Sequence, residues 1–555
     1  MKLRHIVEFL TFSKPQNATV SHNKMVNSGQ TEKKMRKLLL AASIVALSAG
    51  TAYAQVVPVA PTTNFVPPNV QLSDIIQNGE DNVATVDQTG GSEGVSDINQ
   101  DGEDNLAEVT QSEDAGASNT FGTPGNIADI DQVGDNARAR IEQNNTNAQG
   151  GSNTAVIQQD SIDLATVPSG YALNGRIIQD GQANQSSIVQ DGTLFDDTSG
   201  LTARNDQIGN ANKSAIVQDG LPDANPFTDA NVNQTGDENE SDVYQGGSNI
   251  LANVDQLGTG NESYVSQTGD DQLTNVTQDG TSNFSDVTQN SGPNSGGSTA
   301  TVDQTGEDNS SVITQNSSGN PSGGGLATVT QNGTGNSSDV SQDISGSFSG
   351  GVEATVDQDG DNDGSTINQT ASGTFTGLLD ANVVQTGSGN TSSIDQTASN
   401  FVSGIFDADV TQNGTNGSAS ITQESDTSFD GTLSASIEQI SGNMNVGSIF
   451  QSDDDNTATI TQNGDNNNSS ISQDSDFPNG EARDNNATSN QVGSDNMSTI
   501  TQGQLRNLAN VDQIGDGNMS NVDQALGFDN IADVNQNGTD GKSTVTQRGL
   551  SLIHI

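Results

Sequence analysis

The sequence predicts an all-β fold, a β-solenoid of stacked strand–turn–strand units. Six glutamines from Gln234 to Gln289 stand eleven residues apart, and a second period of 27 residues relates the glutamines from Gln304 to Gln439. The 555 residues are only 29% hydrophobic and 3% aromatic, which is too little for a conventional globular core. A fixed period with a thin apolar content is typical of repeat folds, because each unit buries its face against its neighbour.

Each eleven-residue unit is predicted to form one strand and one turn. Asn, Ala or Ser, Val or Ile, and Gln recur at every second position, so they share one face of a strand, and polar residues occupy the other face. The Gly that follows each Gln is predicted to form the turn, since Gly adopts positive φ freely. The predicted turn residues are Gly79, Gly236, Gly258 and Gly515.

The inward face is predicted to hold the residues that stack from one unit to the next. A buried amide is unfavourable unless its hydrogen bonds are satisfied, and stacked Asn and Gln side chains can satisfy one another. Two strands then make one coil, joined by a tight Gly turn and a variable loop, and coils rise by about 4.8 Å. The predicted stacking residues are Gln77, Asn82, Ala84, Val86, Gln88, Gln234, Asn239, Val243, Gln245, Gln256, Asn261, Val265, Gln267, Gln513, Asn518, Val522 and Gln524.

Before the repeats, the chain contains a predicted export signal. Residues 35–54 combine a basic start at Arg36 and Lys37, an apolar run and an Ala52-Tyr53-Ala54 cleavage site, as in secretory signal peptides. The apolar run is too short to span a bilayer, so no transmembrane segment is predicted for the mature chain. Residues 1–34 are interpreted as an upstream extension from a misassigned start, and residues 55–76 as a proline-containing leader.

Residues 77–549 are assigned to the repeat array, and residues 550–555 are unlike it. The apolar end Leu-Ser-Leu-Ile-His-Ile is either a hydrophobic end strand or the translation of a common transposase adapter. We favour the second interpretation, a non-native tail.

The composition argues against catalysis and against nucleic-acid binding. Residues 55–549 contain no His and no Cys, which excludes Ser-His-Asp and Cys-His catalysis and His/Cys zinc sites. No enzyme activity, cofactor or specific metal site is predicted. The net charge of −54 is opposite to the basic surface that nucleic acid requires.

Two alternatives remain open at this stage. One is a monomeric acidic solenoid that acts as a surface adhesin, with calcium as a candidate ligand of Glu80–Asp81, Glu307–Asp308 and Asp453–Asp455. The nine-residue period of calcium-binding β-rolls is absent, however. The other is a disordered acidic chain, which low hydrophobicity and high charge also favour.

The repeat resembles the curlin repeat, the motif Gln-x-Gly-x-Gly-Asn-x-Ala-x3-Gln of curli fibre subunits from Gram-negative bacteria. The resemblance covers about residues 71–549, and this chain has more repeats than a usual curlin. The second motif Gly is often replaced, as at Asp81 and Asp104. The clearest copies are Gln77, Gly79, Asn82, Ala84 and Gln88; Gln256, Gly258, Gly260, Asn261, Ser263 and Gln267; and Gln513, Gly515, Gly517, Asn518, Ser520 and Gln524.

The resemblance implies a function that the residues alone do not give. Curlin subunits are β-solenoids that polymerise outside the cell into amyloid-type fibres for adhesion and biofilm matrix. Their partners are further copies or a related subunit, a nucleator, and an outer-membrane secretion pore. That pore reads the segment after the signal peptide, which here is Gln55 to Gln71. The implied location is the cell surface, reached through the periplasm.

Overall fold

A computed structural model describes the repeat region of the chain. The described residues are 71–90, 94–113, 125–145, 152–161, 173–192, 200–220, 228–292, 296–319, 324–348, 351–372, 374–375, 378–399, 401–402, 405–425, 432–452, 455–474, 484–549 and 552–554. The predicted upstream extension, signal peptide and most of the leader lie outside them. Within the described residues the secondary structure is entirely β, and they contain no helix able to span a membrane.

The described residues form forty strands. They are β1 (Leu72–Asn78), β2 (Val83–Gly90), β3 (Val95–Asp101), β4 (Leu106–Glu113), β5 (Ile127–Val133), β6 (Ala137–Asn145), β7 (Thr154–Ser161), β8 (Leu173–Gln182), β9 (Gln185–Gly192), β10 (Leu201–Asn210), β11 (Lys213–Gly220), β12 (Thr228–Asp237), β13 (Glu240–Ser248), β14 (Ile250–Thr259), β15 (Glu262–Asp270), β16 (Leu273–Thr281), β17 (Phe284–Ser291), β18 (Thr299–Glu307), β19 (Ser310–Gly319), β20 (Gly325–Thr334), β21 (Ser337–Phe348), β22 (Val352–Asp361), β23 (Gly364–Ala371), β24 (Thr374–Phe375), β25 (Leu378–Ser388), β26 (Thr391–Ala398), β27 (Phe401–Val402), β28 (Ile405–Gln412), β29 (Ser418–Ser425), β30 (Leu433–Ser441), β31 (Val446–Ser452), β32 (Thr457–Asn463), β33 (Asn468–Gln473), β34 (Asn486–Val492), β35 (Met497–Gln502), β36 (Leu508–Ile514), β37 (Met519–Leu526), β38 (Ile531–Asn537), β39 (Lys542–Arg548) and β40 (Leu552–His554).

Apart from the two-residue strands β24 and β27, successive strands alternate between two parallel sheets, which confirms the predicted β-solenoid. Sheet A begins with β1, β3 and β5, and sheet B begins with β2, β4 and β6. Each strand pairs in parallel with the strand one coil further along, and the pairing keeps the repeat in register. In sheet B, for example, Gln234 is opposite Gln256, which is opposite Gln278.

The core is a narrow apolar strip between the two sheets. Burial alternates along each strand with the period of two expected for a half-buried sheet. In β14, Ala252 and Val254 are fully buried. In β15, Val265 is buried and belongs to the same continuous cluster of Ala, Val and Ile side chains. The core therefore needs only one or two small apolar residues from each strand.

A second apolar cluster lies beside the strip in the coils from β21 to β30. It consists of Ile344, Val352, Ala371, Leu379, Ala398, Phe406 and Leu433. In the same coils, the two-residue strands β24 and β27 stack on the end of β21. The eleven-residue motif does not predict this second cluster, because the residues that form it lie outside the motif.

The connections between strands differ in part from the expected scheme. One tight turn and one longer loop per coil is the commonest arrangement, as predicted. From Gln234 to Gln289, however, both connections are tight, so paired residues are 22 apart. The tight turn also changes sides, because it follows sheet A at Gln77 and Gln100 and follows sheet B from Gln179 onward.

The last described strand belongs to the tail. Leu552, Ile553 and His554 pair in parallel with Ile531, Ala532 and Asp533 of β38, and Ile553 packs against the core strip. This geometry is that of an end strand. The origin of residues 550–555 as a non-native tail stays a prediction.

Candidate functional site

The stacked glutamines form a continuous hydrogen-bonded column in each sheet. Gln234 Nε2 donates to Gln256 Oε1, and Gln256 Nε2 donates to Gln278 Oε1, each over 2.8 Å. Every such bond in the described columns runs the same way, from the earlier coil to the later one. The sheet B column is Gln88, Gln111, Gln143, Gln179, Gln207, Gln234, Gln256, Gln278, Gln304, Gln331, Gln358, Gln385, Gln412, Gln439, Gln462, Gln491, Gln513 and Gln536. The sheet A column is Gln77, Gln100, Gln132, Gln159, Gln190, Gln218, Gln245, Gln267, Gln289, Gln315, Gln342, Gln369, Gln396, Gln423, Gln451, Gln473, Gln502, Gln524 and Gln547.

From Gln88 onward, each glutamine of the two columns also donates a hydrogen bond to a backbone carbonyl oxygen of the opposite sheet. Gln256 Nε2 also donates to the Glu240 carbonyl oxygen over 3.0 Å, and Gln267 Nε2 donates to the Leu251 carbonyl oxygen over 3.2 Å. One amide therefore joins its coil to the next coil and joins sheet A to sheet B. The first contact was predicted from the repeat and the second was not, since periodicity reveals which residues stack along a column but not which residues lie across the core.

The asparagines bond mainly to backbone rather than to one another. Asn239 Oδ1 accepts the backbone N–H of Asn261 over 3.1 Å, and Asn261 Nδ2 donates to the Gly280 carbonyl oxygen over 3.2 Å. The expected amide-to-amide contact also occurs, for example from Asn518 Nδ2 to Asn496 Oδ1 over 3.1 Å. The Asn column therefore holds the turns together, because it satisfies backbone groups that a tight turn leaves unpaired.

Two turn positions require positive φ, for different reasons. Gly258 has φ of +119°, and a Cβ there would lie 1.9 Å from the Gly280 carbonyl oxygen of the next coil. Gly260 has φ of +67°, and a Cβ there would meet only ordinary contacts. Asp81 and Asp104 occupy the Gly260 position in other units with φ of 57° and 58°. Asp and Asn tolerate this left-handed conformation, which explains the departures from the curlin motif.

The predicted stacking residues all lie on the inward face, but their burial differs along the stack. In the first described unit, Asn82, Ala84, Val86 and Gln88 are half-buried and Gln77 is exposed. The twelve predicted residues from Gln234 to Gln267 and from Gln513 to Gln524 are buried. The predicted turn residues are Gly79, Gly236, Gly258 and Gly515. All four have positive φ, and a Cβ at any of them would lie within about 2.0 Å of a glycine carbonyl oxygen in the next coil. Their role in assembly remains a proposal.

Several outward carboxylates titrate far above their ordinary range. Burial, together with the charges of Asp97 and Asp131, raises the pKa of Asp129 to about 6. Asp97 and Asp129 are opposite each other in register. Burial alone raises the pKa of Asp286 to about 6. Parallel in-register stacking thus brings like charges one coil apart, and part of the acidic surface takes up protons near pH 6.

The structure gives no support for a calcium site in the residues it describes. Among them, no three His, Cys, Asp or Glu side chains are grouped to hold a metal ion. Glu80 and Asp81 lie in a turn of the stack, Glu307 ends strand β18 and Asp308 follows it in the turn. Asp453 and Asp454 lie outside the described residues. Calcium therefore remains only a candidate ligand of the alternative adhesin.

Comparison with known proteins agrees with this geometry. The family profile described as the curlin associated repeat matches residues 247–280 and 454–476. The first segment spans β14, β15 and most of β16, and the second contains β32 and β33. A search of curated proteins found no match. The curlin repeat is a structural rather than an enzymatic kind of repeat. In these two segments the chain is similar to the curlin associated repeat, and the in-register Gln columns continue beyond them in both directions.

Proposed function

We propose that the chain is a secreted structural subunit that stacks end to end into extracellular amyloid-type fibres. The observation that carries this proposal is the pair of glutamine columns. Each coil satisfies its amides with the same groups of the next coil, so a coil from a second copy can take the same place. Stacks of this kind grow by adding strands to an open edge.

The first described coil presents such an edge. Ile75 is 43% exposed, whereas Ile98, its partner in the next coil, is fully buried. Ala84 and Val86 are only partly buried, although the equivalent Ala107 and Val109 are buried. Covering these apolar side chains with the coil of another copy is favourable at about 25 cal/mol per Å² of apolar surface.

Seeded growth tests the proposal. Residues 55–549 are incubated at neutral pH with preformed seeds, and aligned material is examined by X-ray diffraction. Fibres that grow from seeds and diffract near 4.8 Å along the axis and near 10 Å across it are expected. A stable β-rich monomer that never elongates would refute end-to-end stacking. A circular dichroism spectrum that stays random coil would refute the solenoid as well and favour the disordered acidic chain.

A matched pair of variants tests the edge itself. Ile75→Asp places a charge on the inward face of β1, and Ile76→Asp places the same charge on the outward face one residue later. Ile76 is 49% exposed. Ile75→Asp is expected to block growth at this edge, and Ile76→Asp is expected to leave it intact. Equal inhibition by both variants would mean that net charge, rather than the exposed core, controls growth.

The cellular part of the proposal rests on the sequence. The predicted signal peptide at 35–54 supports export through the periplasm, and the similarity to the curlin repeat supports cell-surface fibres of a Gram-negative bacterium that serve adhesion and biofilm matrix. The leader at 55–76 is proposed to engage an outer-membrane pore, and a nucleator is a proposed partner. Export of a reporter fused to residues 35–76, compared with one fused to residues 55–76, tests the first step.

One observation favours the second candidate, a monomeric adhesin, if residues 550–555 are native to the chain. Strand β40 occupies the edge of β38, and a covered edge hinders addition of another copy. If this candidate is correct, deleting residues 550–555 converts a non-seeding protein into a seeding one. If the full chain already seeds and the deletion changes nothing, the adhesin candidate fails. Titration of the full chain and of the shortened chain with calcium tests whether calcium binds.

A further inference from the structure

A group of basic residues lies together on one face of the solenoid. After the predicted signal peptide the sequence contains nine Lys and Arg, and Arg138, Arg140, Arg176 and Arg204 are four of them. These four lie on three consecutive strands of sheet B, β6, β8 and β10. By contrast, no Lys or Arg occurs between Lys213 and Arg483.

Three of these arginines form an in-register column on the outward face, here called the arginine column. Arg140 is opposite Arg176, and Arg176 is opposite Arg204. Arg140 pairs with Glu142 over 3.1 Å, and Arg204 pairs with Asp206. Ile178 lies two residues after Arg176, at the position that Glu142 and Asp206 occupy on their own strands. The Nε of Arg176 has no hydrogen-bond partner among the described residues. Glu108 lies opposite Arg140 on β4, whereas Arg176 lies between two arginines and has no carboxylate directly opposite it.

The same sheet carries a complementary set of carboxylates, here called the acidic column. Glu353 is opposite Asp380, and Asp380 is opposite Asp407, on β22, β25 and β28. Asp409 lies two residues along the last strand, opposite Asn382. Burial and the charges of Glu353, Asp407 and Asp409 raise the pKa of Asp380 to about 6. These charges repel one another, and no basic residue of the surrounding segment offsets them.

The two columns match in spacing, since both repeat once per coil, at about 4.8 Å. We propose that the arginine column of one copy docks against the acidic column of a second copy, so that solenoids associate side by side through the outward faces of sheet B. Both columns lie on the side of the stack, so this contact does not require the end-to-end stacking proposed above.

The positions of the columns fix the arrangement of the two copies. Eight pairings along sheet B separate β8 from β25, which corresponds to about 40 Å. With antiparallel solenoid axes and a two-fold axis through the middle of this interval, near β16, each arginine column faces the partner's acidic column. The contact is then made twice in one symmetric pair.

Sedimentation velocity of the unseeded full chain at 50 mM and 500 mM NaCl measures this association separately from fibre growth. The triple variant Arg140→Gln, Arg176→Gln, Arg204→Gln is expected to weaken pairing about tenfold or more at low salt, because several solvent-exposed ion pairs are lost. High salt is expected to weaken wild-type pairing, because it screens such charges.

A control variant separates the column from net charge. Ser420, Ser448 and Ser470 are stacked in register on the outward face of sheet A. Changing all three to Glu alters the net charge by the same amount as the arginine variant, on the other sheet. Pairing is expected to remain close to wild type. If both variants weaken pairing equally, the proposal is overturned.

Charge exchange provides a rescue. One variant carries Arg140→Glu, Arg176→Glu and Arg204→Glu, and a second carries Glu353→Arg, Asp380→Arg and Asp407→Arg. Neither is expected to pair with itself, and an equimolar mixture is expected to pair. A mixture that stays monomeric overturns the proposal. So does an arginine variant that keeps self-association but loses binding to dextran sulfate, because the column would then serve an anionic polymer.

Discussion

The substitution Gln256→Met removes one amide from the sheet B column while keeping the length of the side chain. Gln256 accepts one hydrogen bond from Gln234 and donates to Gln278 and to the Glu240 carbonyl oxygen, over 2.8, 2.8 and 3.0 Å. The side chain is only 2% exposed, so water cannot replace these partners.

The loss of stability follows from the groups left behind. An Nε2–H of Gln234 loses its acceptor and Gln278 Oε1 loses its donor, and each buried unsatisfied group costs about 1–3 kcal/mol. We expect a local loss of about 3 kcal/mol, which corresponds to roughly a hundredfold increase in the opening constant of these coils. A similar volume keeps the cavity contribution small.

Native-state hydrogen exchange measures this loss coil by coil, which a single unfolding midpoint of a long repeat array cannot do. Amides of β12, β14 and β16 are expected to lose protection, and those of the remote strand β36 are expected to keep it. The control Thr277→Ala changes an exposed side chain on β16 and is expected to alter stability by at most about 0.5 kcal/mol. Unchanged protection in Gln256→Met would refute the claim that the glutamine column holds the coils together.

Three further outcomes are expected. Gly258→Ala is expected to disrupt its turn, because the added Cβ would lie 1.9 Å from the Gly280 carbonyl oxygen, whereas Gly260→Asn is expected to leave the turn intact. Hydrogen exchange and limited proteolysis measure the difference, and equal effects would contradict the claim that only Gly258 lacks room for a side chain. Because the pKa of Asp286 is about 6 in the folded chain, the folded state binds more protons than the unfolded state between about pH 4 and 6. Local stability therefore rises as the pH falls through 6. Asp286→Asn is expected to increase the local free energy of unfolding by about 1–2 kcal/mol at pH 7.5, after allowance for partial exposure, and to have little effect at pH 4. A pH-independent effect of this substitution on hydrogen exchange would contradict the raised pKa. Phe406 is fully buried in the second apolar cluster, so Phe406→Ala leaves a cavity there and is expected to lower local stability by about 3–5 kcal/mol. The loss of protection from hydrogen exchange is expected to stay within the neighbouring coils. A loss of protection along the whole array would show that the coils unfold as one unit.

The repeat motif predicted the fold because its period coincides with the pairing register. Gln256 and Val254 could be assigned to the inward face from alternation alone, and the structure places them there. The requirement for Gly at Gly258 was predicted from the need for positive φ. A stronger reason for glycine at this position is that a Cβ would clash with the carbonyl oxygen of the next coil, a contact that only the structure reveals.

Features outside the motif could not be predicted in the same way. Phe406 and Leu379 stack in the second cluster because the coils there are longer, and loop length does not reveal where a loop packs. The cross-sheet bond from Gln256 to Glu240 joins residues 16 apart, a separation that matches neither period. Serine was expected to be equivalent to alanine on the inward face. The hydroxyls of Ser241 and Ser520 indeed lack hydrogen-bond partners among the described residues, so small size is what that position requires.

The parallel register also bears on how such a chain can change length. Coils of 22 and 27 residues stack on one another with Gln still opposite Gln, because the difference is confined to the loop. Duplicating or deleting the DNA that encodes one whole coil would leave every column continuous and every core contact of the remaining coils in place. Recombination between neighbouring repeats can therefore yield shorter or longer proteins that fold without any compensating substitution.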